Sequence, residues 1–311
     1  ALAAKKTLTD YANVVVVDAG GAGDYPTLAA ALTAITDAAA NKRYMIWLAS
    51  DVTEVAALTW KDHVDLVGNG RKVTLAQATN TFAATARIYN AILSVPMLAG
   101  WAFVEGVLIG TAGQALPDLR FINCTITGYV QINASSGDVR VFEQCEITGL
   151  LFGSEARVEI AGCKITLTAG SYAGWNDPLM SGAYRLLDCI VTSAVASAQM
   201  ITVANSLIAE RTRVETTGSS GRAIQTESGA ILTLTDCIIV ATATNGYGLY
   251  LNSNTLTMQC VRTHFESLTA NRAVRAGSAF ASAPLYQCTF KGGVTNVTAA
   301  AGTANGTCVT F

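Results

Sequence analysis

The 311-residue chain has 20 Lys and Arg against 22 Asp and Glu, a net charge of −2, and only 14% charged residues. This balance leaves no basic surface that would bind nucleic acid electrostatically and no acidic segment that would bind a basic partner. No apolar run approaches the roughly 18 residues of a membrane-spanning helix, so membrane insertion is not expected. The first residues lack Met and a signal-peptide pattern, which predicts a segment of something longer.

The N-terminal part is predicted to begin with a linker, residues 1–13, followed by a cap and first coils over residues 14–76. The all-apolar run 14–17 predicts a strand, and the glycine-rich turn 20–23 follows it. Thr27 is expected to cap a helix running to about Ala40. Further strands are predicted at 44–48, 64–67 and 72–76.

A strand, a glycine-rich turn and a helix also suggest dinucleotide binding. The G-x-G-x-x-G fingerprint needs a third glycine, but counting from Gly21 that place is taken by Pro26. The following strands are not separated by helices. The interpretation we favour is a helix that covers the open end of a solenoid, and no cofactor is expected.

Residues 77–292, the predicted body, keep repeating one motif, seen as Phe-Ile-Asn-Cys-Thr-Ile-Thr-Gly at 121–128. Aligned on the Cys position, which we call column 0, the copies are anchored at 106, 124, 145, 163, 189, 212, 237, 263 and 288. Steps of 18 to 26 residues with one turn and one short strand are typical of a solenoid. Residues 293–311 are predicted to form a last coil or tail.

The columns of the repeat predict the shape of each coil. Column 0 holds Cys, Thr or Gly and column +2 holds aliphatic residues or Phe, so both point inward. The three-residue gap from apolar column −3 to column 0 breaks the period of two and predicts a bend between two strands. Asn123, Asp188 and Asp236 occupy column −1 and tolerate a left-handed backbone there. The sequence therefore predicts an all-β fold, a single right-handed parallel β-helix with an N-terminal capping α-helix.

Six of the eight cysteines occupy column 0 and are predicted to form a structural ladder of buried, free thiols. A disulfide framework is the alternative, but stacked side chains that point the same way suit S–S geometry poorly. These cysteines are Cys124, Cys145, Cys163, Cys189, Cys237 and Cys288.

Charges in column −1 alternate in sign over four successive coils, as Asp188, Arg211, Asp236 and Arg262. This alternation predicts an exposed ladder of ion pairs. Glu266 and Lys291, both in column +3, predict a further pair.

The stretch 14–32, which contains V-V-V-V-D-A-G-G-A-G-D-Y-P-T-L, and the segment D-H-V-D-L-V-G-N-G at 62–70 resemble the opening of pectin-lyase-like β-helix proteins. The repeated F-x-N-C-x-I-x-G is similar to coils of pectinesterases in that superfamily. The opening is shared by enzymes and by bacteriophage tail fibres and tailspikes, to which the chain is closest in kind. The resemblance implies a virion tail or an extracellular location.

Pectinesterase activity is not expected, because the position that matches the family's catalytic Asp holds Gln131 and no L-G-R-P-W segment is present. No close group of acids marks a glycosidase. His63 and His264 lie far apart without ligand spacing, so no metal site is expected. No catalytic residue is assigned.

Two segments are candidate carbohydrate-binding sites, because aromatic rings beside polar side chains stack on and hydrogen-bond sugars. The first lies in a loop and comprises Tyr172, Trp175, Asn176 and Asp177; the second comprises Tyr247 and Tyr250. The alternative is that these aromatics cover an apolar edge of the coil.

The sequence suggests two functions. The first is a structural and receptor-binding segment of a phage tail fibre or tailspike, which binds cell-surface polysaccharide and gains avidity as a homotrimer. The alternative is a polysaccharide lyase or glycoside hydrolase of the pectin-lyase-like superfamily.

Overall fold

The computed structural model describes residues 11, 13–77, 86–98, 102–103, 106–113, 120–131, 139–149, 157–168, 179–180, 183–195, 199–203, 205–218, 221–242, 245–251, 257–267, 273–276, 285–291, 294–295 and 309–310. The chain divides into two compact units. Unit 1 contains residues 1–134 and 138–147, and unit 2 contains residues 135–137 and 148–311.

Within these described ranges there is one helix, α1 (Leu28–Ala34), and a long series of short strands. In chain order the strands are β1 (Asn13–Val17), β2 (Tyr44–Leu48), β3 (Val52–Glu54), β4 (Val64–Val67), β5 (Lys72–Leu75), β6 (Arg87–Tyr89), β7 (Ala91–Leu98), β8 (Ala102–Phe103), β9 (Gly106–Gly113), β10 (Arg120–Ile122), β11 (Cys124–Gln131), β12 (Val139–Glu143), β13 (Glu146–Thr148), β14 (Arg157–Ala161), β15 (Lys164–Leu167), β16 (Leu179–Met180), β17 (Ala183–Leu187), β18 (Ile190–Ser193), β19 (Gln199–Val203), β20 (Ser206–Glu210), β21 (Arg213–Thr216), β22 (Arg222–Thr226), β23 (Ile231–Thr235), β24 (Ile238–Ala241), β25 (Tyr247–Leu251), β26 (Thr257–Val261), β27 (His264–Ser267), β28 (Val274–Ala276), β29 (Leu285–Tyr286), β30 (Thr289–Lys291), β31 (Val294–Thr295) and β32 (Val309–Thr310).

Unit 1 contains two parallel sheets. Its first sheet has the order β1-β2-β4-β6-β8-β10-β12, and its second sheet has the order β3-β5-β7-β9-β11. Apart from β1, which pairs with β2, each strand pairs with the strand two places along the chain, from the next coil. This is the pairing of a parallel solenoid.

Unit 2 contains three parallel sheets. The first has the order β14-β17-β20-β23-β26-β29 and the second β15-β18-β21-β24-β27-β30-β32. The third has the order β16-β19-β22-β25-β28-β31. A full coil of unit 2 therefore has three strands, whereas the repeat motif predicted only the two that flank the bend.

The repeat alignment predicted the register of the coils. In unit 2 the residue after each column-0 anchor pairs with the residue after the next anchor, through Ile190, Arg213, Ile238, His264 and Thr289. In unit 1 Cys124 pairs with Gly106, and Phe121 pairs with both Phe103 and Phe142. The predicted parallel stacking is therefore confirmed at these positions.

The core consists of side chains that stack on their counterparts in the next coil. In unit 1 the rings of Phe121 and Phe142 lie parallel, with centroids 5.2 Å apart. In unit 2 column +2 supplies a continuous buried file, made of Ile165, Val191, Val214, Ile239 and Phe265. Burial of a branched or aromatic side chain of this kind stabilises the fold by about 1.5–3 kcal/mol.

Helix α1 begins where predicted and ends earlier. The Thr27 side chain accepts a hydrogen bond from the Ala30 amide at 3.1 Å, which confirms the N-cap. The helix ends at Ala34 rather than near Ala40, because Ile35 is extended and its carbonyl accepts a hydrogen bond from the Lys61 Nζ. The apolar face of Leu28, Leu32 and Ile35 predicted a longer helix than this contact permits.

A buried carboxylate also binds the N-terminus of the helix. The Glu54 Oε1 accepts a hydrogen bond from the Leu28 amide at 2.6 Å. Burial raises the pKa of Glu54, and the amides of Leu28 and Ala29 oppose that shift. The helix packs against β1 and β3, the first strands of the two sheets. It therefore lies at the first coil, as predicted for a cap.

Candidate functional site

The corner between the first and second sheets uses a left-handed residue in column −1. Asn123, Asp188 and Asp236 have φ angles of 53°, 54° and 54°, which confirms the predicted bend. Gln144 and Arg262 also adopt this conformation, although their side chains do not favour it. The corner geometry therefore does not depend on Asn or Asp.

The thiols of the cysteine ladder donate hydrogen bonds across this corner. The Cys237 Sγ lies 3.3 Å from the Thr235 carbonyl and 3.3 Å from the Ala209 carbonyl of the preceding coil. Where the ladder has Thr instead, the Thr212 hydroxyl donates to the Glu210 carbonyl at 3.0 Å in the same way. Column 0 therefore favours a small side chain with a donor, which explains why Cys and Thr alternate there from Cys189 to Cys288.

All six predicted ladder cysteines are buried and free. Cys124 and Cys145 belong to unit 1, and Cys163, Cys189, Cys237 and Cys288 belong to unit 2. A seventh, Cys260, is buried in the first sheet. Burial raises the pKa of Cys189 to about 11. Cys189 is therefore a poor nucleophile, because a buried thiol with a raised pKa forms little thiolate.

The predicted ion pairs at the corner form. Arg211 binds Asp188 through two hydrogen bonds of 2.6 and 2.9 Å, and Arg262 binds Asp236 through bonds of 2.6 and 2.8 Å. The Arg211 hydrogen bond lowers the pKa of Asp188. These exposed pairs lie between consecutive coils, so they favour the correct register.

A buried charge in unit 1 also has a structural role. Asp65 is 2% exposed and accepts hydrogen bonds from the Tyr11 hydroxyl at 2.7 Å and from the Arg43 Nη2 at 2.6 Å. Burial, and then the hydrogen bond to Asp65, raise the pKa of Tyr11. Tyr11 also packs beside Met45 and Tyr89. Asp65 therefore fastens Tyr11 to the first sheet.

One of the two predicted aromatic sites lies among the described residues. Tyr247 and Tyr250 belong to β25 of the third sheet, and their ring centroids are 5.5 Å apart at 60°. Tyr247 is 9% exposed, and Tyr250 is half-buried. The other predicted site, Tyr172, Trp175, Asn176 and Asp177, lies outside the described residues.

The preceding strand, β22, places an arginine on this tyrosine pair. The register of the third sheet sets Arg222 opposite Tyr247 and Gln225 opposite Tyr250. The Arg222 guanidinium carbon lies 4.2 Å from the centroid of the Tyr250 ring. A guanidinium over an aromatic face is attracted to the electron-rich face of the ring.

A series of side-chain hydrogen bonds continues from the arginine. The Arg222 Nη1 donates a hydrogen bond to the Gln225 Oε1, and the Gln225 Nε2 donates to the Glu227 Oε1 at 2.7 Å. Gln225 is only 4% exposed, so both ends of its amide are fixed. We call Arg222, Gln225, Glu227, Tyr247 and Tyr250 the tyrosine–arginine cluster.

Sequence reasoning missed three members of this cluster. Arg222, Gln225 and Glu227 do not belong to the repeat motif, and their strand lacks an alternation of buried and exposed residues. Two of the three could have been located from the length of a coil, because 25 residues separate the column-0 anchors 212 and 237. Subtracting this step from Tyr247 and Tyr250 leads to Arg222 and Gln225.

Tyr250, Arg222 and Glu227 are partly exposed, whereas Tyr247 and Gln225 are buried behind them. An aromatic ring, a guanidinium and a carboxylate therefore lie together at the surface, which are groups that can stack on or hydrogen-bond a ligand. Among the described residues, no group of three or more His, Cys, Asp or Glu could hold a metal ion. Within the same residues, no helix is both long and apolar enough to cross a membrane.

The comparison with protein families agrees with this architecture. A family model described as the right-handed beta helix region matches residues 105–290. The match covers more than half of the chain, so the chain belongs to the right-handed β-helix family. This is consistent with the pectin-lyase-like resemblance of the sequence. No curated protein and no solved structure matches the chain.

Proposed function

We propose that this chain is a structural and receptor-binding β-helix segment of a phage tail fibre or tailspike, which binds a cell-surface polysaccharide through the tyrosine–arginine cluster. The observation that carries the proposal is the stacking of Arg222 on Tyr250, with Gln225 and Glu227 fixed beside it. Together these residues make a preorganised polar and aromatic surface.

The rigidity of the fold supports this function. Tyr250 and Arg222 lie on paired strands of a parallel sheet, so a ligand does not have to order a loop before it contacts them. Ordering an interface side chain costs about 0.5–1.5 kcal/mol, and a preorganised site avoids most of that cost. Weak binding by a single site becomes useful when many copies are displayed together.

The test compares the binding of cell-surface polysaccharide by the wild-type chain and by Tyr250→Ala. Loss of a stacked ring costs about 1–1.5 kcal/mol, so we expect the dissociation constant to rise roughly tenfold. Tyr250→Phe keeps the ring and is expected to bind almost normally. Tyr44→Ala, at a half-buried tyrosine of unit 1, is the matched control and is expected to bind as wild type.

Unchanged binding in Tyr250→Ala would contradict the assignment of the site. Release of reducing ends from the polysaccharide by the wild-type chain would contradict a binding-only role and favour the alternative of a polysaccharide-degrading enzyme.

A further inference from the structure

One arginine of unit 2 differs from the others in its partners. Five arginines of this unit form ion pairs with carboxylates, at N–O distances of 2.6 to 3.5 Å. These pairs are Arg157–Glu159, Arg185–Glu210, Arg211–Asp188, Arg213–Glu215 and Arg262–Asp236. Arg222, in contrast, forms no ion pair with any residue that the structure describes, and its partners are Gln225 and Tyr250.

Both partners of Arg222 are uncharged. Its Nη1 donates a hydrogen bond to the Gln225 Oε1, and its guanidinium carbon lies 4.2 Å from the centroid of the Tyr250 ring. Arg222 is half-buried, so these contacts remove part of the guanidinium from water. Removing a positive charge from water without a counter-ion is unfavourable. An anion that binds beside Arg222 would supply the missing counter-ion.

The acid of the tyrosine–arginine cluster does not supply this counter-ion. Gln225 contacts both charged residues, because its Oε1 accepts from Arg222 and its Nε2 donates to the Glu227 Oε1 at 2.7 Å. The guanidinium and the carboxylate therefore lie at opposite ends of one amide. Gln225 is 4% exposed, so the two charges are kept apart by a buried side chain.

Arg222 also has hydrogen-bond donors that a ligand can use. A guanidinium has several N–H groups in one plane, and two of them match the two oxygens of a carboxylate or a phosphate. Only the Nη1 of Arg222 donates to a described residue. In the register of the third sheet, Tyr250 is also paired with Arg275 of β28, so a second basic residue belongs to the next coil.

We infer that the tyrosine–arginine cluster binds a negatively charged group of the polysaccharide, and that Arg222 is the residue that binds this group. The inference rests on the proposed function and adds the class of ligand, which is a glycan with carboxylate or phosphate groups. Both groups present a pair of oxygens to a guanidinium. Nucleic acid is not the ligand we infer, because it is bound through many phosphate contacts rather than through one or two basic residues.

Titration of the wild-type chain with small sugars tests the class of ligand. Glucuronate carries a carboxylate, glucose 6-phosphate carries a phosphate, and glucose is the matched neutral sugar. We expect at least one of the two anionic sugars to bind in NMR titrations at least about tenfold more tightly than glucose, because charge-assisted hydrogen bonds are the stronger ones. The better of the two identifies the group as carboxylate or phosphate. Equal binding of all the sugars, or binding of none, would overturn the inference.

Substitution of Arg222 tests the residue. The Arg222→Gln side chain can still donate to Gln225 but has no charge, so we expect its dissociation constant for the anionic sugar to rise at least about tenfold. Arg222→Lys keeps the charge and is expected to retain part of the affinity. Arg213→Gln is the matched control, because Arg213 already pairs with Glu215 at 2.8 Å, and it is expected to bind as wild type. Wild-type affinity in Arg222→Gln would contradict the role of Arg222.

The same variants distinguish this inference from the proposed function when they are measured on cell-surface polysaccharide. If Tyr250→Ala weakens binding and Arg222→Gln does not, the site is correct but its ligand is neutral, and only this inference is wrong. If neither variant changes binding, the proposed site is wrong as well. Thermal unfolding establishes that each variant keeps the fold, and the sugar titrations of the wild-type chain do not depend on any variant.

Discussion

The corner between the first and second sheets differs from the connections that enter and leave the third sheet. In unit 2 every first-sheet strand is followed by two residues before the second-sheet strand begins, as with Asp236 and Cys237 between β23 and β24. Connections from the third sheet back to the first vary from two residues to eight, and those from the second to the third from two to eleven. The corner therefore sets the register, and the third-sheet side accepts variation.

This difference has a physical cause. At the corner, one residue adopts a left-handed backbone and the next residue has a buried side-chain donor. That donor contacts carbonyls of the same coil and of the coil before it. An added residue would disrupt both features. A surface connection only has to close a loop, and lengthening a loop costs little. The tyrosine–arginine cluster lies on the third sheet, where variation between coils is tolerated.

An insertion tests this comparison most strongly. One glycine inserted between Asp236 and Cys237 would shift column 0 and turn the following strand over, exposing its buried face. We expect a loss of more than about 4 kcal/mol, measured as the free energy of unfolding in urea. The same glycine inserted within residues 252–256 is the control and is expected to cost less than about 1 kcal/mol. Equal losses would mean that the corner has no special role.

A smaller effect is expected at column 0 itself. Cys237→Val and Cys237→Thr introduce side chains of nearly the same branched shape, but only threonine can donate to the carbonyls that Cys237 contacts. We expect the threonine variant to be more stable by about 1 kcal/mol, because the valine leaves those contacts unmade. Urea midpoints at a constant m-value measure the difference. If the valine variant were as stable as the threonine variant or more stable, column 0 would select side chains by size and not by their hydrogen-bond donor.

The smallest effect is expected in column −1. Gln287 has a φ of 54°, a conformation that glycine adopts freely, so Gln287→Gly is expected to stabilise unit 2 by about 0.5 kcal/mol. Gln259→Gly, at an exposed position in the middle of β26, is the matched control and is expected to destabilise by about 1 kcal/mol. Thermal unfolding of both variants measures the contrast. A loss of stability in Gln287→Gly would mean that its side chain contributes more than its backbone strain costs.

Much of the fold follows from the repeat. The anchors that were read from the Cys column coincide with the strand register, and the bend at Asp188 and Asp236 has the expected left-handed backbone. The third sheet was missed because its strands are buried on both faces, as in β22 and β25, and so lack a period of two. The helix end was missed because the contact of Lys61 with the Ile35 carbonyl joins residues far apart in sequence.

The candidate site follows from the sequence only in part. Tyr247 and Tyr250 were selected by their own spacing, whereas Arg222, Gln225 and Glu227 belong to a different coil and show no local motif.

The sequence by itself determined the coil: which residues point inward, where the chain bends and which residue lies above which, because a repeated pattern imposes its own period. The tertiary structure alone decided which side chains of neighbouring coils touch at the surface. Arg222 stacks on Tyr250 because β22 and β25 pair in one register, and that pairing is set by coil lengths and core packing far from either residue.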